Sequence, residues 1–135
     1  MSNTLKLRIV TPETTYREEV DMVTLPGVEG QMGLLPGHIR MMTQMVPGEL
    51  IVRKDGRDRF LAVGEGLVEV SSEHVDIVTD MAITAENIDE AKAEEARQRA
   101  AARLRERISS EEVATVNASL VRSLAQLRVK RRRSA

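Results

Sequence analysis

The side chains that most often carry out chemistry are scarce in this sequence. Its 135 residues include no cysteine and no tryptophan, two histidines, one tyrosine and one phenylalanine. A thiol nucleophile, a disulfide framework and a cysteine zinc site are therefore excluded. Base-stacking platforms and ligand cages need several aromatic rings, which this chain does not have. The residues offer no argument for a small enzyme, and no metal site is expected.

Two glycine-rich segments come nearest to a nucleotide-binding loop. Gly27, Gly30 and Gly33 recur at every third position, and Gly64-Glu65-Gly66 follows later in the chain. A phosphate loop needs Gly-Lys-Ser/Thr at the start of a helix, and a dinucleotide loop also opens a helix. Both segments here lead into short apolar runs instead, so they predict turns between strands.

His38 and a group of methionines are the remaining side chains that suggest contact with a partner. His38 follows Pro36-Gly37, so it is either an ordinary polar loop residue or a contact point. Met41, Met42 and Met45 either fill the core or form an adaptable apolar patch. Adjacent side chains of a strand point to opposite faces, so one of Met41 and Met42 is expected to lie outside the core.

The chain changes character near residue 86. All eight glycines and all four prolines lie at or before Gly66. Residues 1–86 carry 8 basic and 14 acidic side chains, a net charge of −6, whereas residues 87–135 carry 12 and 7, a net charge of +5. We predict two domains with these bounds, whose opposite charges favour either mutual docking or separate partners. The overall net charge of −1 argues against a general nucleic-acid binder.

Residues 1–86 are predicted to form an antiparallel β-sandwich or flattened barrel. Leu5, Leu7 and Ile9 alternate with charged residues, which is the period of a half-buried strand. Turn-forming pairs separate further short apolar runs, as is typical of sandwiches. Asp55-Gly56 is the clearest hairpin turn, because both residues accept the positive φ that it needs. The further strands are predicted at 20–25, 40–45, 49–54, 59–63, 67–70 and 75–79.

Residues 87–135 are predicted to form an antiparallel α-helical hairpin, called the arm below. Asn87 with Glu90, and Ser109 with Glu112, have the spacing of capping boxes. An apolar stripe at steps of three and four residues follows each of them, and the break between the helices is short. The first helix is expected to have near twenty residues, about 30 Å. The stripes are Ala93, Ala96, Ala100, Leu104 and Ile108, then Val113, Val116, Leu120, Leu124 and Leu127.

The arm is predicted to be weakly held. Its first stripe is mostly alanine, and each missing CH2 group forgoes roughly 0.8 kcal/mol of burial. Glu95 and Arg99 have the spacing of an ion pair worth only ~0.3–0.5 kcal/mol. The basic run 130–133 is either a solvated terminus or a contact for an acidic protein surface, RNA or anionic lipid. Such an arm is expected to change posture at little cost.

Several segments together resemble the epsilon-subunit family of the proton-translocating ATP synthases. The most specific segment is Leu25-Pro26-Gly27-Val28-Glu29-Gly30-Gln31-Met32-Gly33-Leu34-Leu35-Pro36-Gly37-His38. The similarity continues through 46–50, 60–70, 75–80, 88–93 and 124–128, so it covers nearly the whole chain. The resemblance implies a β-sandwich with a helical hairpin, and a non-catalytic rotor subunit that couples proton-driven rotation to ATP synthesis.

The resemblance also implies partners for each part of the chain. The sandwich is expected to bind the gamma subunit and to sit on the ring of c subunits, with Glu29, Gln31 and His38 facing the ring. The arm is expected to extend along gamma and to inhibit ATP hydrolysis by contacting the alpha and beta subunits. The implied location is peripheral, on the cytoplasmic side of a bacterial membrane, with membrane contact only through the complex. The arm residues expected to make contacts are Arg97, Arg99, Arg103, Arg105, Arg107, Arg122 and Arg128.

Some members of this family bind ATP at the folded arm, through an Ile/Leu-Asp-x-x-Arg-Ala string and later basic residues. This chain has Ile88 and Asp89, but Lys92 replaces the arginine, and lysine lacks the planar fork of donors. Arg122 matches one later basic position, whereas Gln126 stands at the other. No cofactor is therefore expected, and ATP is expected to bind weakly or not at all.

One alternative from another functional class stays open. A free-standing binding module would use the basic run 130–133 to hold RNA or an anionic membrane. Stable co-purification with gamma distinguishes the two functions. Salt dependence does not distinguish them, because both functions use arginine contacts.

Overall fold

The computed structural model describes residues 3–133, which form ten strands, a short 3-10 turn and two helices. An antiparallel sandwich followed by a helical hairpin is therefore confirmed. The strands are β1 (Leu5–Val10), β2 (Thr15–Val20), β3 (Met22–Gly27), β4 (Gly30–Leu34), β5 (Met41–Met45), β6 (Gly48–Lys54), β7 (Arg57–Val63), β8 (Gly66–Val70), β9 (His74–Thr79) and β10 (Ala82–Thr84). The helices are α1 (Glu90–Leu104) and α2 (Ser110–Arg133), and the 3-10 turn is Ala85–Asn87.

The strands form a sheet that folds over on itself. Its order is β10-β7-β6-β3-β5-β8-β9-β1-β2, with β4 attached to β3. Neighbouring strands are antiparallel except for β1 and β9, which are parallel. Strands from opposite ends of this order meet, because Arg59 of β7 contacts Tyr16 and Glu18 of β2. This contact closes the two layers over a shared core.

Alternate residues of the strands point their apolar side chains into that core. Leu5, Leu7 and Ile9 are at most 1% exposed, as the period of two predicted. Met41 packs against the core, whereas Met42 on the opposite face is 69% exposed. The two adjacent methionines thus have the different environments that strand geometry requires.

The Asp55-Gly56 turn is present and joins two corners of the sandwich. Asp55 has a φ of 53° and Gly56 a φ of 76°, so both occupy the left-handed region of a tight hairpin. The backbone N–H of Asp55 donates to Oδ2 of Asp21 at 2.8 Å. This hydrogen bond links the β6–β7 hairpin to the corner between β2 and β3.

Three strands were not predicted, because their sequences lack a strong apolar period. β2 leaves Thr15, Arg17 and Glu19 exposed and ends the strand order, so it needs few apolar side chains. β4 contains two glycines and pairs with β3, and β10 has only three residues. Pairing with neighbours, rather than local pattern, makes these segments strands.

The first helix differs from its prediction at both ends. Asp89 is the N-cap, since its carboxylate accepts a hydrogen bond from the backbone N–H of Lys92 at 3.1 Å. The predicted cap Asn87 belongs to the 3-10 turn instead. α1 ends at Leu104 after 15 residues, because residues 105–109 are needed to reverse the chain. Ser109 is confirmed as a cap, with its Oγ accepting from the N–H of Glu112 at 3.1 Å.

The second helix packs on two surfaces, whereas its sequence predicted one apolar stripe. Val113 and Leu124, assigned to that stripe, are 41% and 40% exposed. Ala125 and Val129 are buried instead, in a cluster that includes Ala62 of β7. They lie four residues apart, so they form a separate face of the helix. The sandwich therefore covers a face of α2 whose small side chains give only a weak apolar pattern in the sequence.

Opposite charges bring the arm onto the sandwich. Nη1 of Arg122 lies 3.1 Å from Oδ2 of Asp80, and Nη2 of Arg133 lies 2.6 Å from Oε1 of Glu49. Of the two interpretations of the charge asymmetry, the structure shows mutual docking. The basic run 130–133 is the last turn of α2, and Arg133 is bonded to Glu49, whereas Arg131 and Arg132 remain exposed.

Candidate interaction surfaces

The residues predicted to face the c-ring lie along the β3–β4 hairpin and the loop after it, rather than in one turn. Glu29 is exposed at the hairpin tip, and Gln31 is exposed in β4 opposite Pro26. His38 follows the other end of β4, and its Nδ1 lies 2.8 Å from the carbonyl oxygen of Ile39. The three polar side chains are therefore spread along one hairpin and its exit.

Exposed apolar side chains accompany these polar residues. Val28 at the hairpin tip is 58% exposed, and Leu35 and Ile39 in the loop are 55% and 79% exposed. The loop is held by the N–H of Gly37, which donates to the carbonyl oxygen of Ser72 at 2.7 Å. An ordered loop that presents apolar side chains has the character of a contact surface.

A larger exposed apolar surface, called the outer face below, consists of Val28, Met42, Val46, Leu67 and Val78. Leu67 of β8 and Val78 of β9 are directly opposite each other in the register and are 54% and 56% exposed. Val28 and Val46 continue the surface, and with Leu67 and Val78 they line an open groove of about 490 Å³. Four of these residues line one groove together with polar neighbours such as Gln44, and Met42 lies two residues from Gln44 on the same face of β5.

Sequence reasoning missed the outer face, although a usable signal was present. Leu67-Val68 and Ile77-Val78 are adjacent apolar pairs within strands. One member of each pair, Val68 or Ile77, is fully buried. The other must then point to the opposite face, just as Met42 does beside Met41. Each such pair in a half-buried strand marks an apolar residue outside the core.

The seven predicted arm arginines fall into two groups. Arg97 contacts Glu94, Arg103 contacts Glu106 and Glu112, and Arg122 contacts Asp80. Within residues 3–133, the other four form no ion pair, and all four are exposed. The proposed contact set is thus divided between arginines that stabilise the arm and arginines that face outward. The outward-facing ones are Arg99, Arg105, Arg107 and Arg128.

Glu94 joins the two helices of the arm electrostatically. Hydrogen bonding from Arg97 lowers the pKa of Glu94 from 4.5 to about 2, with a smaller contribution from the charge of Arg131. Arg131 of α2 also reaches Glu90, with 2.8 Å between Nε and Oε1. The i, i+4 pair predicted between Glu95 and Arg99 is absent from the ion pairs of the described residues, and the i, i+3 pair of Glu94 and Arg97 is present instead.

Three of the four residues considered for ATP already have partners when the arm is folded. Ile88 is 4% exposed and packs in the cluster between α2 and the sandwich. The carboxylate of Asp89 caps α1, and Arg122 pairs with Asp80. Lys92 is exposed. A nucleotide would therefore have to compete with contacts that the chain makes within itself.

Within residues 3–133, no group of three or more His, Cys, Asp or Glu side chains is arranged to hold a metal ion. None of the helices in that part of the chain is both long and apolar enough to cross a membrane.

Two family models together match nearly the whole chain. Residues 4–85 match the β-sandwich domain of the ATP synthase delta/epsilon chain, and residues 86–131 match its long α-helix domain. The ATP synthase epsilon chain of Herpetosiphon aurantiacus is 41% identical over 126 residues, which is 93% of each chain. That of Bacillus subtilis is 43% identical over 102 residues, covering 75% of this chain and 77% of the other.

Solved structures share this fold. A chain in the OSCP/F1/c-ring assembly of the Euglena gracilis mitochondrial ATP synthase matches with a TM-score of 0.72 and 26% identity, over 90% of this chain and 78% of that one. A chain from the central stalk and c-ring of the Tetrahymena thermophila enzyme shares the fold at a TM-score of 0.62 and 13% identity, over 93% and 96%. With two adjoining domain models and relatives above 40% identity, the chain belongs to the epsilon-chain family of the ATP synthases.

Proposed function

We propose that this chain is a non-catalytic subunit of the central stalk of an ATP synthase, where it couples proton-driven rotation to ATP synthesis. The outer face is the observation that carries this proposal. Its apolar side chains stay exposed although the core of the sandwich is complete. A contiguous exposed apolar surface favours a protein partner. The family, and the similarity to a chain of an F1/c-ring assembly, indicate which partner to test first.

The outer face is proposed to bind the gamma subunit. Leu67 and Val78 offer aliphatic side chains on paired strands, which are held rigidly by the sheet. Met42 adds an unbranched side chain that adapts to an irregular partner surface. A rigid apolar surface suits a stalk contact, because torque must pass through it without the surface deforming.

The β3–β4 hairpin and its exit loop are proposed to contact the c-ring. Glu29 and Gln31 are exposed along the hairpin, and His38 lies in a loop held by backbone hydrogen bonds. The apolar side chains of Leu35 and Ile39 flank these polar groups. A mixed surface of this kind matches the polar loops at the end of a membrane-embedded ring better than it matches lipid.

The arm is proposed to inhibit ATP hydrolysis when it leaves the sandwich and extends. The buried side chains of α1 are two alanines, and those of α2 are a serine, an alanine, a leucine and a valine, so little apolar surface holds the arm. Its outward-facing arginines are available for acidic loops of the alpha and beta subunits. These are Arg99, Arg105, Arg107 and Arg128.

The proposed chemistry of the chain is recognition rather than catalysis. Weak ATP binding or none is proposed for the folded arm, because Arg122 and Asp89 are engaged within the chain. The proposed location is peripheral, at the cytoplasmic side of a bacterial membrane and attached through the complex. The basic-tail module is the less favoured function, since Arg131, Arg132 and Arg133 contact acidic residues of this same chain.

Co-purification tests the proposed function most directly. The full chain, mixed with isolated gamma subunit, is expected to elute with it as a stable complex in size-exclusion chromatography. Separate elution of the two proteins, together with retention of the chain on RNA or anionic vesicles, would favour the basic-tail module instead.

A further inference from the structure

Glu49 and Phe60 lie on the outward side of the β6–β7 hairpin, where a carboxylate is ordinarily solvated. Glu49 is opposite Ala62 in the register, and Phe60 is opposite Ile51. The alternating residues, such as Leu50, point inward and belong to the core. The side chain of Glu49 is nevertheless only 8% exposed. Something from outside the sheet must therefore cover it.

The C-terminal end of α2 provides that cover. Nη2 of Arg133 lies 2.6 Å from Oε1 of Glu49, and Nε of Arg133 lies 2.9 Å from Oε2. This is the two-bond fork that arginine forms with a carboxylate. The guanidinium carbon also lies 3.7 Å from the centre of the Phe60 ring, in a cation–π contact. Glu49, Phe60 and Arg133 are called the clasp below.

The rest of the basic run supports the clasp. Nη1 of Arg132 lies 3.8 Å from Oε1 of Glu49. Nζ of Lys130 donates to the carbonyl oxygen of Ala85 at 3.2 Å, and Arg131 pairs with Glu90 of α1. Each of the four consecutive cations thus contacts another element, while the side chains of Arg131 and Arg132 stay 58% and 60% exposed.

We propose that the clasp sets the posture of the arm, by holding the end of α2 on the sandwich until it is released. The apolar contact beneath it is modest on the side of the arm, because α2 contributes only Ala125 and Val129 to the buried cluster that joins it to the sandwich. Charge-assisted hydrogen bonds are therefore a large share of what retains the arm. Opening the clasp uncovers Glu49 and frees a block of cations for an acidic protein surface. Salt and such a surface are expected to favour the open arm.

Hydrogen exchange of the full-length chain, followed by mass spectrometry, tests the clasp. Glu49→Gln and Arg133→Gln, which remove one charge from each side, are expected to speed exchange in the peptides of α2 by roughly ten- to hundredfold, the range set by a charge-assisted hydrogen bond. Sandwich peptides are expected to exchange at the parent rate. Raised salt is expected to speed exchange of α2 more in the parent than in either variant, which keep the ion pairs of Arg122 and Arg131.

The matched control is Glu13→Gln, which removes a carboxylate from an exposed turn. It is expected to leave the exchange of α2 unchanged. The charge swap Glu49→Arg with Arg133→Glu is expected to restore much of the lost protection. If α2 exchanges at the parent rate in both single variants while the sandwich stays intact, the proposed role of the clasp in holding the arm is wrong.

The consequence of the clasp for the complex rests on the proposed inhibitory function of the arm. In reconstituted enzyme, Arg133→Gln is expected to lower ATP hydrolysis, because an unclasped arm extends more often. Faster exchange of α2 with unchanged hydrolysis would support the clasp and contradict the inhibitory function. The two proposals therefore fail in distinguishable ways.

Discussion

Arg122 of α2 and Asp80, which follows β9, form an ion pair across the boundary between the arm and the sandwich, with 3.1 Å between Nη1 and Oδ2. The second carboxylate oxygen, Oδ1, is buried and accepts no hydrogen bond from the described residues. It faces Gly64, where a Cβ atom would overlap it and would lie 2.9 Å from Cγ. The absence of a side chain at residue 64 therefore lets Asp80 reach the arm.

Gly64→Ala is expected to destabilise the contact between the arm and the sandwich. The added methyl group forces the Asp80 carboxylate away from Arg122, and overpacking of this kind costs about 1–3 kcal/mol. Chemical unfolding of the full chain measures the loss. Asp80→Ser alone removes the ion pair without the clash, so adding Gly64→Ala to that variant is expected to cost little more. Additive losses in the double variant would contradict the proposed steric link.

Leu67→Asp and Val78→Asp are expected to weaken binding to the gamma subunit by more than about tenfold, or about 1.4 kcal/mol each. The reason is that each change requires a charge to be desolvated at the centre of the outer face. Both side chains are more than half exposed in the free chain, so the fold is expected to persist. Titration calorimetry with isolated gamma is the measurement. Arg57→Asp, on the β6–β7 hairpin, is the control; equal loss of affinity there would argue against the outer face.

Removal of residues 88–135 is expected to leave assembly of the complex intact and to raise its rate of ATP hydrolysis. The sandwich keeps its own core, because the main cluster of buried residues contains no arm side chain. Steady-state hydrolysis by purified complexes with the full and shortened chains makes the comparison. Equal rates would show that the arm of this chain is not inhibitory.

ATP is expected to bind the isolated chain weakly or not at all. Lys92 stands where the resembling ATP-binding string has arginine, and Arg122 is held by Asp80. Adding Lys92→Arg and Gln126→Arg together supplies two planar donor groups and is expected to strengthen binding. Isothermal titration of both proteins is the test. A micromolar dissociation constant for the unaltered chain would contradict this expectation.

The arm is expected to loosen in acid through Glu94. Its folded pKa of about 2 lies below the unfolded value of 4.5. The charged form is therefore favoured by folding, and this stabilisation is complete above the unfolded pKa and is lost as the pH falls from 4.5 towards 2. Helicity followed by circular dichroism from pH 7 to pH 2 is the measurement. Glu94→Gln is expected to remove part of the acid transition; identical curves for both proteins would refute the assignment.

Local pattern in the sequence determined the class of most elements. Strand β1 was predictable from the strict alternation of Leu5, Leu7 and Ile9, and the end of β6 was predictable from the turn at Asp55-Gly56. Each of these signals lies within a few neighbouring residues of the sequence. The division near residue 86 was visible for the same reason, since glycine, proline and net charge are distributed unevenly along the chain. The sequence also predicted that one of Met41 and Met42 lies outside the core, and the structure shows that it is Met42.

Tertiary structure decided which surfaces meet. The Arg133–Glu49 pair joins residues 84 apart in sequence, and no periodicity encodes that distance. Strand β2 forms because it pairs with β1, and the second face of α2 is buried because the sandwich covers it, although the side chains of both carry a weak apolar signal. Local propensities depend on neighbours in the chain, whereas sheet register and helix docking depend on burial shared between distant segments. The posture of the arm therefore depends on contacts between distant segments.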